Sequence, residues 1–291
     1  MKKNREKNVS TKSNPSSDKD KWLRWPTINP LEDPNSWLTE GLEIGLESAK
    51  RDREKLQKGF KLKLFSLAFS LTGKILGRLF RQSNGSKTTS DIYQCPWLPL
   101  WPNLSSHSFH EQEPEWTNLL KKNYPAIKKE LTQLINNDIE FQQAVYDGFK
   151  GKPWTAKYFH LFGNRITETN ELCPITSAVL EKIPHNLMHT CFSCIPAGGA
   201  LPPHVGPTNT SLVCHLGLMN CDKSAIFSGK KIKNYVEGET LILDDSFIHG
   251  AKNSGELPRY TLMLSFWHPD LSTTEIKALK YFYKAFSAVG S

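Results

Sequence analysis

Along the C-terminal half of the chain, short apolar runs alternate with clusters of Gly, Pro, Asn and Asp: Met188 to Ile195, Leu212 to Leu218, Thr240 to Leu243 and Tyr260 to Phe266. Runs of this length, bounded by turn residues and with no long helix between them, predict the strands of a jelly roll or barrel. The run that starts at Arg259 alternates strictly. Tyr260, Leu262, Leu264 and Phe266 share one face; Arg259, Thr261, Met263 and Ser265 share the other. Trp154 to Phe162 predicts a further strand, and Pro174 to Ile183 a short helix. Two segments carry the helical period. Ile127, Leu131, Leu134 and Ile135 place a helix within Trp116 to Asn137, with Pro125 suited to its first turn. Ile276, Leu279, Phe282 and Phe286 place another near the end, opened by Ser272 and Glu275 at capping-box spacing.

The first third is patterned differently. Phe60 to Phe80 is apolar at near-helical spacing, but its uncharged centre, Leu64 to Gly73, is about half the roughly 20 residues a membrane span requires. Lys61, Lys63, Lys74 and Arg78 break its flanks. Such a segment fits a helix lying in a membrane interface, or an amphipathic helix packed on its own domain. Gln82 to Thr89 has linker composition, and Pro96 to Pro102, with Trp97 and Trp101, reads as an extended aromatic arm over the core. The expected organisation is a disordered basic tail (1–22), a helical leader and linker (23–89), and one folded domain (90–291). The fold class is mainly β with flanking helices.

Charge sharpens this division. Residues 1–81 hold 18 Lys+Arg against 10 Asp+Glu, and the remainder holds 19 of each. All of the net charge of +8 therefore precedes the folded domain. A cationic leader on a neutral body suits an anionic surface such as a membrane. Nucleic acid is not the expected partner, because aromatic residues are not interleaved with the basic runs. No apolar signal region follows Met1, so a cytoplasmic protein is expected, with peripheral membrane contact through 60–80. Among six cysteines, Cys191 and Cys194 form a C-x-x-C without a second pair or a histidine pair; buried reduced thiols are expected.

The candidate chemistry lies on two histidines and an arginine. His204 sits between Pro202-Pro203 and Gly206-Pro207, and His249 follows the apolar run 241–243 and Asp244-Asp245. Two imidazoles brought together by strands would hold iron, zinc or copper. The adjacent acids would ligate, orient His249, or close a turn. Arg259, if it points into a barrel, needs an anion, and a dicarboxylate meets that need with a bidentate pair. Otherwise it is a surface arginine or half of a salt bridge.

Read together, Cys173-Pro174-x-Thr176, His204-x-Gly206-Pro207-Thr208-Asn209, His215-Leu216-Gly217-Leu218, Gly238-Glu239, Asp244-Asp245-Ser246-Phe247-x-x-His249, Arg259 and Trp267-His268-Pro269-Asp270-Leu271 resemble the aspartyl/asparaginyl β-hydroxylase family of Fe(II)- and 2-oxoglutarate-dependent oxygenases. The resemblance implies a double-stranded β-helix of the cupin-like kind, Fe(II) on His204 and His249, and 2-oxoglutarate gripped at its far carboxylate by Arg259 and Ser193. It also implies that His215 contacts the co-substrate and that O₂ is consumed in hydroxylating an unactivated C–H, either of an Asp or Asn side chain in a protein or of a lipid acyl chain. Gly206 stands where a carboxylate ligand would be, with water completing the coordination. Two positions depart from the family: Val213 replaces a frequent arginine, and Tyr235 a usual tryptophan. The Val213 departure keeps a rival expectation in view, a non-catalytic jelly roll that binds a metal or anion without turnover. A zinc hydrolase on the same histidines lacks a well-placed general-base Glu.

Overall fold

The computed structural model describes residue 25 and residues 28–58, 60–80, 91–143 and 154–289. The tail expected at 1–22 and the linker expected at 82–89 lie outside the described residues. Two antiparallel sheets make up the core. The larger contains β1 (Gln142–Gln143), β2 (Thr155–Leu161), β3 (Asn164–Arg165), β4 (His185–Ile195), β6 (Ser211–Met219), β9 (Thr240–Leu243) and β11 (Arg259–Trp267), in the order β1-β2-β4-β11-β6-β9 with β3 on β2. The smaller contains β5 (Ala200–His204), β7 (Ser224–Ser228), β8 (Lys231–Asn234) and β10 (His249–Asn253), in the order β5-β10-β7-β8. From β4 onward the chain passes back and forth between the sheets, with the hairpin β7–β8 kept together in the smaller one, giving a double-stranded β-helix.

Alternation along each strand divides the side chains between two cores. Inward residues Trp154, Ile195, Val213, Tyr235, Leu241 and Leu243 fill the space between the sheets. Outward residues Phe159, Phe192, Leu216, Leu262 and Leu264 pack under α3 (Thr117–Asn136) through Leu120, Ile127 and Leu131. A strand with helix on one side and barrel on the other is buried on both faces, which is why β11 has few exposed positions. The smaller sheet is covered by α1 (Pro34–Lys58), where Trp25 and Trp37 stack on each other and meet the edge of Phe227. The close approach depends on Gly41 and Gly45: a methyl group on either would strike Phe227 or Ile248.

A third cluster joins α2 (Phe60–Phe80), α6 (Thr273–Val289) and the aromatic arm through Phe69, Leu98, Trp101 and Leu279. Trp101 is fixed at two points. Its indole donates to Glu275 at 2.8 Å, and its backbone N–H donates to Asn209 at 2.8 Å. Glu275 also accepts from the Ser272 N–H (2.9 Å) and hydroxyl (2.8 Å), so the capping box forms as its spacing predicts.

Three local expectations need correction or completion. Pro125 lies inside α3, not in its first turn, because Leu120 must be buried and draws the helix N-terminally. Helix α2 carries two apolar faces. Phe65, Phe69 and Leu76 pack inward, while Leu64, Leu67, Leu71, Ile75 and Leu79 point outward. All six cysteines are buried free thiols, and burial pushes that of Cys95 and Cys221 up to about 11. Among the described residues no helix is long and apolar enough to cross a membrane.

The Cys173-Pro174-x-Thr176 motif has a structural role. It opens α5 (Pro174–Leu180), whose free N–H groups are received by the buried Glu130 of α3: Ile175 N–H at 2.7 Å, Thr176 N–H at 2.8 Å and the Thr176 hydroxyl at 2.7 Å. Three donors to one buried carboxylate form a strong tie between elements. Glu130→Ala is expected to destabilise the fold by about 3 kcal/mol. Urea denaturation checks this, and a midpoint equal to wild type would reject it.

Candidate functional site

Strand β5 ends at His204 and β10 begins at His249, and the antiparallel register sets the two residues opposite each other. Prolines 202 and 203 are tolerated because β5 is an edge strand, and they stiffen the approach to His204. The ring centroids are 4.0 Å apart, tilted by 52°. Each ring is held by the backbone two residues before it: His204 Nδ1 lies 2.7 Å from the Pro202 carbonyl, and His249 Nδ1 lies 2.9 Å from the Phe247 carbonyl. A nitrogen that donates to a carbonyl keeps its proton, so Nε2 is the proton-free nitrogen of each neutral ring. Burial lowers the pKa of both, for His249 to about 4 and for His204 well below its usual value, with the neighbouring His249 adding to the effect. Both rings are neutral at pH 7, the form that ligates a metal.

The adjacent acids have separate tasks. Asp244 accepts from the Ser246 N–H (2.9 Å) and from Gln94 (3.0 Å), closing the turn before His249. Burial raises its pKa to about 7, against those hydrogen bonds. Neither acid orients His249, since the Phe247 carbonyl does so. Asp245 faces Gly206: its backbone carbonyl accepts the Gly206 N–H at 2.6 Å, and a methyl group built on Gly206 would land on its carboxylate. The space that a side chain at 206 would fill is thus taken by the acid of 245. Its Oδ1 is buried without a hydrogen-bond partner, and burial together with the Asp244 charge holds its pKa well above the carboxylate range.

Deeper in the barrel lies Arg259, only 2% exposed. Its Nη1 donates to Thr261 at 2.9 Å, its plane lies 4.4 Å from the Tyr235 ring centroid, and its Nε has no partner. No carboxylate pairs with it among the described residues. His215 stands beside Tyr235, with ring centroids 5.7 Å apart. Burial first, then the charges of Arg259 and His249, lower its pKa to about 3. Ser193 lies across from Thr261 in the β4–β11 register, and its hydroxyl accepts from the Trp154 indole at 2.9 Å. Val213 is buried in the same interior beside Leu243, so no second cation stands there.

The structure therefore gathers all five candidate residues, Ser193, His204, His215, His249 and Arg259, into the barrel. Among the described residues no group of three His, Cys, Asp or Glu side chains is placed to hold a metal ion. The donor set still suits a metal with an anion behind it: two adjacent neutral imidazoles whose Nδ1 atoms are held by backbone carbonyls, a carboxyl oxygen without a partner, and a guanidinium lacking a carboxylate.

The roles of three residues escaped the reading of the sequence. Tyr235 is a platform under Arg259, Trp154 holds Ser193, and Asp245 occupies the Gly206 gap. Only the last left a signal, the coincidence of a glycine at the ligand position with a doubled acid upstream of the second histidine.

A model of the aspartyl/asparaginyl beta-hydroxylase family matches residues 121–269. "Aspartate beta-hydroxylase domain-containing protein 2" of Mus musculus is 27% identical over 215 residues, covering 70% of this chain and 62% of that protein. "Aspartate beta-hydroxylase domain-containing protein 1" of Bos taurus is 32% identical over 256 residues, 81% of this chain and 69% of that one. The "Ornithine lipid ester-linked acyl 2-hydroxylase" of Rhizobium tropici is 33% identical over 163 residues, 53% and 58% respectively. The chain thus spans about three fifths of the length of the mouse and rhizobial relatives.

Proposed function

Because this chain belongs to the aspartyl/asparaginyl β-hydroxylase family, we propose that it is an Fe(II)- and 2-oxoglutarate-dependent dioxygenase. Its substrate carries an unactivated C–H, in a peptide side chain of the Asp or Asn type or in a lipid acyl chain. The observation that carries the reading is the pairing of two facing, backbone-tethered imidazoles with a buried guanidinium that has no carboxylate. A name that specifies an acyl 2-hydroxylase among the relatives supports the lipid alternative.

His204 and His249 would hold the iron, and Arg259 with Ser193 would receive the far carboxylate of 2-oxoglutarate. Bound there, the two would supply the oxidising chemistry, in which O₂, substrate C–H and 2-oxoglutarate become alcohol, succinate and CO₂. The protein's part is positioning and exclusion of water. The carbonyls of residues 202 and 247 fix the two rings. The Tyr235 ring, 4.4 Å from the guanidinium carbon, supports that group from one side and leaves its N–H donors to a carboxylate. Neutral His215 donates or accepts one hydrogen bond without adding charge. Val213, Leu241 and Leu243 keep the interior dry, which strengthens each polar contact within it. The Asp245 side chain fills the position that a ligand from residue 206 would otherwise take.

The test is formation of succinate from 2-oxoglutarate by iron-loaded protein under air, without added substrate. Slow turnover is expected, and chelation of the metal should stop it. Binding of 2-oxoglutarate with no succinate formed would favour the non-catalytic jelly roll, for which the valine at 213 is the specific argument.

A further inference from the structure

The outward face of α2 remains to be accounted for. Leu64, Leu67, Leu71, Ile75 and Leu79 are each 50–70% exposed, spaced three and four residues apart along about 22 Å of helix. A single exposed leucine is ordinary, but a continuous stripe of five on one helix is not. Lys63 and Lys74 flank the stripe, Arg78 lies within it, and the whole of α2 has no Asp or Glu. That charge pattern selects among occupants. A second copy of α2 would set these cations against themselves, and the basic first 22 residues would be repelled equally. An anionic bilayer satisfies both the apolar stripe and its cationic border.

The same helix borders two neighbouring spaces. A cleft of about 590 Å³ opens between Arg53, Lys63, Leu67 and Leu100. Phe65, Trp97 and Leu98 form its inner wall and also line a smaller space of about 80 Å³ that reaches Asp245. The smaller space is walled further by Phe162, Met188 and Tyr283, with no Lys or Arg among its lining residues. Its polar lining, His189, Thr208, Ser211, Asp245 and Ser265, offers no cation to a peptide Asp side chain, which would lose its hydration there, whereas an alkyl chain has no hydration to lose.

We propose that the outward face of α2 docks on an anionic lipid bilayer, and that the cleft beside it passes an acyl chain from that bilayer to the Asp245 end of the site. The docking stands on the surface alone; the delivery of an acyl chain to be hydroxylated rests on the dioxygenase reading above.

The experiment uses the full chain, loaded with iron, and two kinds of vesicle: phosphatidylcholine alone, and phosphatidylcholine mixed with phosphatidylglycerol. Cosedimentation reads docking, and succinate release reads turnover. Wild type is expected to sediment with the anionic vesicles, which should raise succinate release above its substrate-free rate; a soluble Asp- and Asn-containing peptide should not. Leu71→Ser with Ile75→Ser should weaken sedimentation at least about tenfold. Lys74→Glu with Arg78→Glu should weaken it by about fivefold per charge removed. Both pairs are exposed and remote from the histidines, so the substrate-free rate should hold in each. Equal sedimentation with neutral vesicles or none at all, or a wild-type dimer dissolved by the leucine substitutions, would overturn docking. Stimulation by the peptide and not by the vesicles would overturn acyl delivery. Loss of succinate formation in every sample, with vesicle binding intact, would instead count against the dioxygenase reading and leave the docking face standing.

Discussion

His249→Ala is expected to abolish iron binding and reduce succinate formation by on the order of a thousandfold, while the fold survives. His249 is 7% exposed and its ring is tied to the Phe247 carbonyl, so it cannot be replaced by a neighbour swinging in. Only one imidazole would remain, and a first-row ion bound by one imidazole and water is held weakly. The ring also carries no structural hydrogen bond beyond that local one, so its loss leaves a small cavity near a strand end, worth about 1–2 kcal/mol. His204→Ala should act in the same direction, with a smaller structural effect because His204 is less buried. Anaerobic titration with Fe(II) in the presence of 2-oxoglutarate, beside circular dichroism, separates ligand loss from unfolding. A variant with unaltered iron affinity would refute the assignment of that residue as a ligand.

Arg259→Met is expected to make the co-substrate-free protein more stable and the protein as a whole less active. A guanidinium that is 2% exposed, with Nε unsatisfied and no carboxylate beside it, is a destabilising burial. Methionine of similar length removes that penalty, and a gain of about 1–3 kcal/mol in unfolding free energy follows. Affinity for 2-oxoglutarate should fall by about a hundredfold to a thousandfold, because the lost contact is a charge-assisted pair in a dry interior. Thermal melts with and without 2-oxoglutarate read both effects at once. Wild type should gain stability on adding it and the variant should not. If Arg259 served only the fold, the variant would melt earlier than wild type and respond to the ligand as wild type does.

The jelly roll was legible because its strands are short and punctuated: the runs 212–218, 240–243 and 260–266 differ from the observed β6, β9 and β11 by at most a residue at each end. The convergence of residues 204 and 249 was legible from the ordered motifs, not from spacing, since strand pairing across 45 positions leaves no local mark. What could not be read depends on partners distant in sequence. Glu130 gives no sign that it caps α5, and Tyr235 none that it supports a guanidinium. Pro125 misled because its preference for a first turn is weaker than the burial of Leu120 one turn earlier. In α2 the period was right but the face was doubled: Phe65, Phe69 and Leu76 sit inward while Leu64, Leu67, Leu71, Ile75 and Leu79 sit outward, a distinction that hydropathy does not make.

The crowding between Gly206 and Asp245 constrains how such a site can change. Installing an aspartate at 206 by itself would set its Cβ against the Asp245 carboxylate, so a third protein ligand there requires the Asp245 side chain to turn away. Gly206→Asp combined with Asp245→Gly would relocate the acid from the turn to the neighbouring strand end, keeping its charge count and volume while altering which backbone carries it.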